Sequence, residues 1–248
     1  AAEMWGTVCL SVLFWQFAND NIGTHEAKRF YPAFLFFNAF ATFLVGTLGE
    51  TYLKSVEAAT LMILVTGSIM LYLFKYVNDE VLTDPQFTKD VAAKTKKPKV
   101  KLTFSESIKQ LFASPYIGYL SLLILAYGLS INMIEVSWKS VAKEVYASQE
   151  EYLGMMSMYA KITGLCGMVM VFISKSILKR SGWLPCAIVT PIIIGITGAV
   201  YFSSVLFGGL IEPWALAAGF ASSSAFIVPF GMFGVILSKS AKYSFFDP

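Results

Sequence analysis

One short stretch of an otherwise apolar segment combines an amide, a carboxylate and an ammonium group: Asn132, Glu135 and Lys139. Their spacings of three and four residues place these side chains on one face of a helix. A carboxylate cannot attract an anion, so Glu135 is predicted either to pair with a basic residue as a gate or to carry a coupling proton. The alternative interpretation is an interfacial helix end, where Trp138 and Lys139 anchor at the outer headgroups.

Two further ionisable residues, Glu3 and Lys161, also belong to apolar stretches. A charge at the centre of a bilayer costs about 2.5–3.5 kcal/mol even on the lenient insertion scale, so each is a site candidate. Lys161 is predicted to contact a phosphate group as a strongly hydrated point charge. The alternative for Lys161 is a salt bridge to a neighbouring helix, and Glu3 has the same two interpretations as Glu135.

Basic residues also stand together at the ends of two apolar stretches, Lys28 with Arg29 and Lys239 with Lys242. One interpretation is that they draw an anionic substrate toward an opening by electrostatic steering. The other, which we prefer, is that they are structural latches between bundles and anchors on the cytoplasmic side.

The elements that must position these side chains follow from composition. Of the 248 residues, 56% are hydrophobic and only 14% are charged, and the mean hydropathy is +0.63. These are too few charges to cover a soluble surface. A span across about 30 Å of hydrocarbon needs roughly 20 apolar residues and must be helical in an open chain. The sequence predicts an all-α integral membrane protein with seven transmembrane helices, at Ala2–Asn19, Tyr31–Gly49, Ala58–Val77, Leu111–Val136, Leu153–Ser174, Trp183–Phe207 and Trp214–Leu237.

The basic residues indicate how these spans are oriented. If the spans alternate, most of the 19 basic residues fall on one side, and the other side keeps Lys54, Lys139 and Lys143. Lys and Arg are retained on the cytoplasmic side, so the crowded side is predicted to be cytoplasmic, with Ala2 outside.

Two phrases of the chain nearly repeat each other: Glu26-Ala27-Lys28-Arg29-Phe30-Tyr31-Pro32 and Ser240-Ala241-Lys242-Tyr243-Ser244-Phe245-Phe246-Asp247-Pro248. Each follows an apolar run, which is typical of carriers built from two related halves. We therefore expect part of a longer, twelve-span transporter. Residues 1–77 would be the last three spans of its N-terminal bundle, residues 78–110 a basic cytoplasmic linker, and residues 111–248 the first four spans of its C-terminal bundle. The linker is either a solvated connector or a patch that binds phospholipids.

Five short motifs occur in order along nearly the whole chain: Phe14-Trp15-Gln16-Phe17-Ala18-Asn19, Glu26-Ala27-Lys28-Arg29-Phe30-Tyr31-Pro32, Ala126-Tyr127-Gly128-Leu129-Ser130-Ile131-Asn132, Glu135-Val136-Ser137-Trp138-Lys139-Ser140 and Ser238-Lys239-Ser240-Ala241-Lys242-Tyr243. Together they resemble the ATP/ADP translocase family, the nucleotide transporters of plastids and obligate intracellular bacteria. The chain departs from the family pattern at two places. It has Gly234-Val235 where a Gln-Asn pair is common, and Ala33-Phe34-Leu35 where Leu-Phe-Gly often follows the proline.

The resemblance implies a twelve-span, major-facilitator-like carrier that exchanges ATP for ADP by alternating access. It also implies that two functionally important acidic residues of the family correspond to Glu3 and Glu135. The implied setting is a bacterial inner membrane or a plastid inner envelope. The expected partners are ATP, ADP and the lipid bilayer, with neither a nucleic acid nor an obligate protein partner.

Other functions have weaker support from the sequence. Proton-coupled nucleotide import stays open, with Glu3 or Glu135 titrating. A seven-helix membrane enzyme is disfavoured because the sequence contains no catalytic constellation. A receptor-like scaffold of seven helices does not explain the two repeated segments. No metal or cofactor is expected, because the three cysteines lie in apolar segments without metal-ligand spacing. There is also no Walker-type loop, which argues against ATP hydrolysis as the energy source.

Overall fold

The computed structural model describes residues 12–22, 24–52, 55–83, 103–242 and 244. Within these ranges the chain is helical and has no strand. The helices are α1 (Leu13–Asn21), α2 (Thr24–Tyr52), α3 (Val56–Tyr76), α4 (Phe104–Ala113), α5 (Pro115–Val145), α6 (Gln149–Ser181), α7 (Trp183–Leu206), α8 (Gly208–Ala217) and α9 (Ser223–Ala241). A π-helical turn, Val77–Val81, follows α3 directly.

Among the described residues, six helical segments have the length and apolar composition needed to cross a bilayer: Phe30–Tyr52, Val56–Val81, Pro115–Val145, Gln149–Ile177, Ile188–Leu206 and Ser223–Ala241. This confirms the predicted all-helical class for the described part of the chain. The first predicted span, Ala2–Asn19, falls largely on residues 1–11, which lie outside that part. The count of seven spans therefore stays a prediction.

Helix α5 differs from the predicted span Leu111–Val136 at both ends. It begins at Pro115, because the residue before a proline is disfavoured in the helical conformation and Ser114 is extended instead. It then continues to Val145 through Trp138 and Ala142, both fully buried. The polar residues after Val136 lower the hydropathy but do not end the helix, since one face of this part packs into the helical core through Trp138 and Ala142.

The predicted span Trp214–Leu237 is also wrong in its first half, because the chain breaks between α8 and α9. Gly219 has a φ of 86°, a left-handed conformation that favours glycine. The Ser222 side chain then accepts a hydrogen bond from the Ala225 amide and caps α9. Glu212 accepts a hydrogen bond of 2.7 Å from the Ser223 amide. Hydrogen bonds from the hydroxyl and amide of Ser223 lower the pKa of Glu212.

The chain forms two compact units. The first contains Ala1–Ala33 and Glu57–Lys101, and the second contains Phe34–Val56 and Leu102–Pro248. In the first unit Phe17 packs on Phe74, with ring centroids 5.4 Å apart. The predicted bundle boundaries at residues 77 and 111 stay a prediction.

The second unit holds a core made by α5, α6, α7 and α9. Its largest fully buried side chains are Trp138 of α5 and Tyr201 of α7, which meet at Gly231 of α9. A Cβ added to Gly231 would lie 2.7 Å from Trp138 and 2.8 Å from Tyr201. The glycine therefore allows α9 to approach both rings, and this contact fixes the position of the polar residues on α5 and α9.

Candidate functional site

Trp138 fixes how the polar face of α5 meets α9. Its indole Nε1 donates a hydrogen bond of 2.8 Å to the carbonyl oxygen of Val228, and its ring lies 5.0 Å from that of Tyr159 on α6. A buried indole N–H needs such a partner, so this bond orients the ring. The interpretation of Trp138 as an anchor at the headgroups is therefore wrong, because its side chain lies in the helical core.

Glu135 lies one turn before Trp138 and holds two lysines. Its carboxylate is 2.8 Å from Nζ of Lys139, four residues along α5, and 2.8 Å from Nζ of Lys239 on α9. The Glu135 side chain is 11% exposed, the Lys239 side chain 22% and the Lys139 side chain 41%. The helical spacing correctly predicted that Glu135 and Lys139 share a face, and the fold adds Lys239 from a distant part of the sequence.

We call these three residues the Glu135 cluster. Two ammonium groups face one carboxylate, so the cluster has a surplus of one positive charge at neutral pH. It lies ten residues before the end of α5 at Val145, which corresponds to about 15 Å of helix. An unbalanced cation among apolar helices is unfavourable unless an anion compensates it. The arrangement therefore suits an anionic ligand.

A second ion pair joins α2 to α6. Lys161 Nζ lies 2.6 Å from a carboxylate oxygen of Glu50, and the two side chains are 38% and 35% exposed. This is the salt bridge to a neighbouring helix that the sequence offered as the alternative for Lys161. Its charges balance, in contrast to those of the Glu135 cluster. A contact between Lys161 and a phosphate stays a prediction.

Glycines let α2 and α6 approach closely beside this pair. A Cβ added to Gly46 would overlap the backbone of Lys161, and one added to Gly164 would overlap the backbone of Phe43. Small residues that bring helix backbones together are a common means of association inside membranes, where hydrophobic burial drives helix pairing less than in water.

Among the described side chains, the other predicted site residues do not join the Glu135 cluster. Asn132 is exposed, and its side chain donates a hydrogen bond of 2.9 Å to the carbonyl of Gly128 in its own helix. The ammonium group of Lys242 lies 5.4 Å from the ring centre of Tyr127. Three further candidates lie outside the described residues or, within α2, outside the described side chains: Glu3, Lys28 and Arg29.

The sequence did not identify the roles of two residues in these ion pairs. Glu50 was not a candidate because the predicted span ended at Gly49, whereas α2 continues to Tyr52. Lys239 was interpreted as an anchor or a steering residue at a helix end. Their partners lie 111 and 104 positions away in the sequence, so local spacing could not identify either pair. Among the described residues, no group of three His, Cys, Asp or Glu side chains could hold a metal ion.

Comparison with known proteins extends over the whole sequence. The family model described as the TLC ATP/ADP transporter matches residues 1–248. The chain belongs to this family. The resemblance inferred from the five short motifs is thereby confirmed, and the six membrane-length helices identify this member of the TLC ATP/ADP transporter family as an integral membrane protein.

Individual members of the family align with almost all of the chain. It is 39% identical over 258 residues to "ADP,ATP carrier protein 1" of Rickettsia typhi. This alignment covers 99% of the chain and 51% of the relative. It is 36% identical over 261 residues to "ADP,ATP carrier protein 1" of Chlamydia trachomatis, covering 99% and 49%. It is 37% identical over 261 residues to "ADP,ATP carrier protein 2, chloroplastic" of Arabidopsis thaliana, covering 100% and 41%.

The chain thus spans about half the length of these relatives, between 41% and 51%. No solved structure matches it.

Proposed function

We propose that the protein containing this chain exchanges ATP for ADP across a membrane by alternating access. Relatives that carry the name ADP,ATP carrier protein support this proposal. The role is transport rather than an enzymatic reaction. Since the relatives come from Rickettsia, Chlamydia and the Arabidopsis chloroplast, the proposed location is a bacterial inner membrane or a plastid inner envelope.

The proposal includes a finer architecture. The chain would supply seven spans from the middle of a twelve-span, major-facilitator-like carrier. Residues 1–77 would close the first bundle, residues 78–110 would link the bundles and residues 111–248 would open the second.

The observation that carries the functional proposal is the surplus positive charge of the Glu135 cluster. The phosphates of ATP and ADP are anionic, and lysine ammonium groups bind phosphate as point charges. Glu135 holds Lys139 and Lys239 at 2.8 Å from its carboxylate, so both ammonium groups are positioned before substrate arrives. Glu135 therefore acts as a positioning residue, and the lysines attract the phosphates.

Exchange of this kind is electrically active. When the two ions differ by one charge, each cycle moves one net charge across the membrane. The membrane potential then biases the exchange by about 2.3 kcal/mol per 100 mV.

Proton-coupled import is the second candidate, because Glu135 is a carboxylate placed within a membrane-length helix. Each of its oxygens lies 2.8 Å from a lysine ammonium group. A coupling proton would have to displace one of the lysines, which ATP/ADP exchange does not require. We therefore favour exchange.

Transport measurements separate the two candidates. The full-length protein is reconstituted into liposomes, and uptake of labelled ATP is followed with ADP or buffer inside, with and without a proton gradient. Exchange predicts uptake only into ADP-loaded vesicles, with a rate that responds to an imposed membrane potential. Uptake into buffer-loaded vesicles that requires a proton gradient would contradict exchange and favour import. No uptake of ATP under any condition would contradict both.

A further inference from the structure

A cavity of about 290 Å³ lies beside the Glu135 cluster, between α2, α6 and α9 of the second unit. Its polar lining comes from these helices and from Ser244, which follows α9: Asn38, Thr42, Tyr159, Thr163, Lys239, Ser240 and Ser244. Among the described residues, Lys239 is the one charged member of this lining. A larger cavity of about 630 Å³ between α5 and α7 is lined by described residues that carry no charge. Of these two cavities, the smaller one has a positive charge with which to bind an anion.

Two buried serines make the smaller cavity unusual. Ser240 and Ser244 are 2% and 1% exposed, and both line the cavity. Within the part of the chain that the structure describes, neither hydroxyl oxygen has a hydrogen-bond partner. Buried hydroxyl groups are normally bonded, and an unpaired one is unfavourable. Both serines line the same cavity, so a ligand bound there can supply the acceptors that their hydroxyl groups lack once the side chains turn toward it.

Lys239 supplies the charge. Its ammonium group has three donors and contacts both carboxylate oxygens of Glu135 at 2.8 Å. Its Nζ also lies 5.8 Å from the ring centre of Tyr159, another residue of the cavity wall. The third donor can therefore serve a ligand in the cavity while Glu135 keeps the side chain in place.

We propose that this cavity binds phosphate groups, with the hydroxyl groups of Ser240 and Ser244 donating to phosphate oxygens and Lys239 neutralising their charge. That the phosphates belong to ATP and ADP rests on the proposed function above. The volume of about 290 Å³ lies at the lower limit of pockets that enclose a whole drug-sized ligand, roughly 300–1,000 Å³. The cavity therefore holds the phosphate chain and leaves the nucleoside outside it.

Substitution of the serines separates binding from folding. Ser240→Ala and Ser244→Ala remove hydroxyl groups that lack partners in the described structure, so the empty protein is expected to keep or raise its melting temperature. Ser238→Ala is the matched control on the same helix. Ser238 is buried, but its hydroxyl already shares a hydrogen bond of 2.9 Å with Thr197 and does not line the cavity. This control is expected to lower the melting temperature and to leave phosphate binding unchanged.

The first readout needs no transport. Inorganic tripolyphosphate is added to the purified full-length protein, and the shift in melting temperature is measured for the wild type, the double variant Ser240→Ala/Ser244→Ala and the control. A shift in the wild type and the control, reduced by about half or more in the double variant, supports the proposal. No shift in the wild type means that the cavity holds only water and overturns it. An equal shift in all three proteins, or a double variant as destabilised as the control, also overturns it.

The second readout identifies the source of the phosphate. In ADP-loaded vesicles the double variant should raise the KM for ATP about tenfold or more while the maximal rate changes less, since charge-assisted hydrogen bonds are lost. Tripolyphosphate, but not adenosine, should compete with ATP in the wild type. An unchanged KM in a variant of an active carrier overturns this proposal and leaves exchange standing. Phosphate-dependent stabilisation without ADP-dependent uptake contradicts exchange and leaves the cavity as an anion site.

Discussion

Two regions of the second unit each join a glutamate to a lysine across two helices, and they differ in charge balance and in surroundings. Glu50 and Lys161 neutralise each other and are both more than one-third exposed. Glu135 faces two lysines, and its own side chain is only 11% exposed. The first pair is complete as it stands, whereas the second keeps a surplus charge beside a polar cavity. Charge balance therefore separates a contact that holds helices together from one prepared for an anion.

The contacts that hold the helices together also differ between the two regions. Beside Glu50, α2 and α6 touch through glycines, so backbone packing holds this crossing and the ion pair adds little. Glu50 lies two residues before the end of α2 at Tyr52, and exposed pairs at such a helix end contribute only about 0–1 kcal/mol. Around Glu135, a fully buried tryptophan hydrogen-bonded to α9 fixes the helices. The charges of the Glu135 cluster are therefore not needed to hold α5 and α9 together and are available to bind a ligand.

The largest effect is expected from Glu135→Gln. The substitution keeps the size of the side chain but leaves Lys139 and Lys239 without a counter-charge. Removing one member of a buried ion pair costs about 3–5 kcal/mol, and we expect about 3 kcal/mol here because Lys139 is partly exposed. Denaturation of the full-length protein measures the loss of stability, and ATP uptake by ADP-loaded vesicles should fall at least about tenfold. Near-normal stability and uptake would show that the cluster does not depend on its carboxylate.

The next largest effect is expected from a substitution at the glycines where α2 crosses α6, beside Glu50. Gly164→Ala would push a methyl group into the backbone of Phe43 and should cost about 1–3 kcal/mol. Gly154→Ala is the matched control on the same helix, because nothing lies within 4 Å of its added Cβ. The control should be neutral or stabilising by up to about 1 kcal/mol, as alanine favours the helix. Equal melting temperatures for the two variants would contradict the close approach of α2 and α6.

A smaller effect is expected from breaking the balanced pair. Glu50→Gln or Lys161→Met alone should lower the free energy of unfolding by about 1 kcal/mol or less. The double variant should recover most of this loss, because neither charge is then left without its partner. A double-mutant cycle on melting temperature measures the coupling. Additive losses would mean that the two charges act independently, and the distinction between balanced and unbalanced clusters would lose its basis.

The smallest effect concerns Glu212, a half-buried carboxylate outside both regions, which serves as their reference. Hydrogen bonds from Ser223 lower its pKa below the ordinary value of a glutamate side chain. A lowered pKa in the folded state stabilises the fold above the unfolded value, and this contribution disappears as the pH falls through the folded value. Glu212→Gln should therefore flatten the dependence of melting temperature on pH below about pH 5, relative to the wild type. An unchanged pH profile would show that the hydrogen bond does not contribute to the break between α8 and α9.

The sequence predicts what depends on local spacing. Glu135 and Lys139 are four residues apart, so any helix through them brings the two charges together. Hydropathy likewise identifies most of the long helices. Neither signal identifies Lys239 as the partner of Glu135, since that contact exists only after α5 and α9 pack around Trp138.

Local signals also mislead where polar residues are buried in protein. The hydropathy falls after Val136, yet α5 continues for nine more residues because Trp138 and Ala142 pack inside the bundle. The continuous span expected from Trp214 is broken at Gly219, which adopts a left-handed conformation. A glycine followed by a run of serines was available as a signal of that break.

The most direct test of an anion site at the Glu135 cluster compares the same substitution at one lysine from each region. The KM for ATP is measured in ADP-loaded vesicles for the full-length protein carrying Lys239→Ala or Lys161→Ala. An anion site at the Glu135 cluster predicts an increase of about tenfold or more for Lys239→Ala and of less than about twofold for Lys161→Ala, because of these two lysines Lys239 alone lines the phosphate cavity. The reverse order would place the phosphate contact at Lys161 and contradict the assignment of the anion site to the Glu135 cluster.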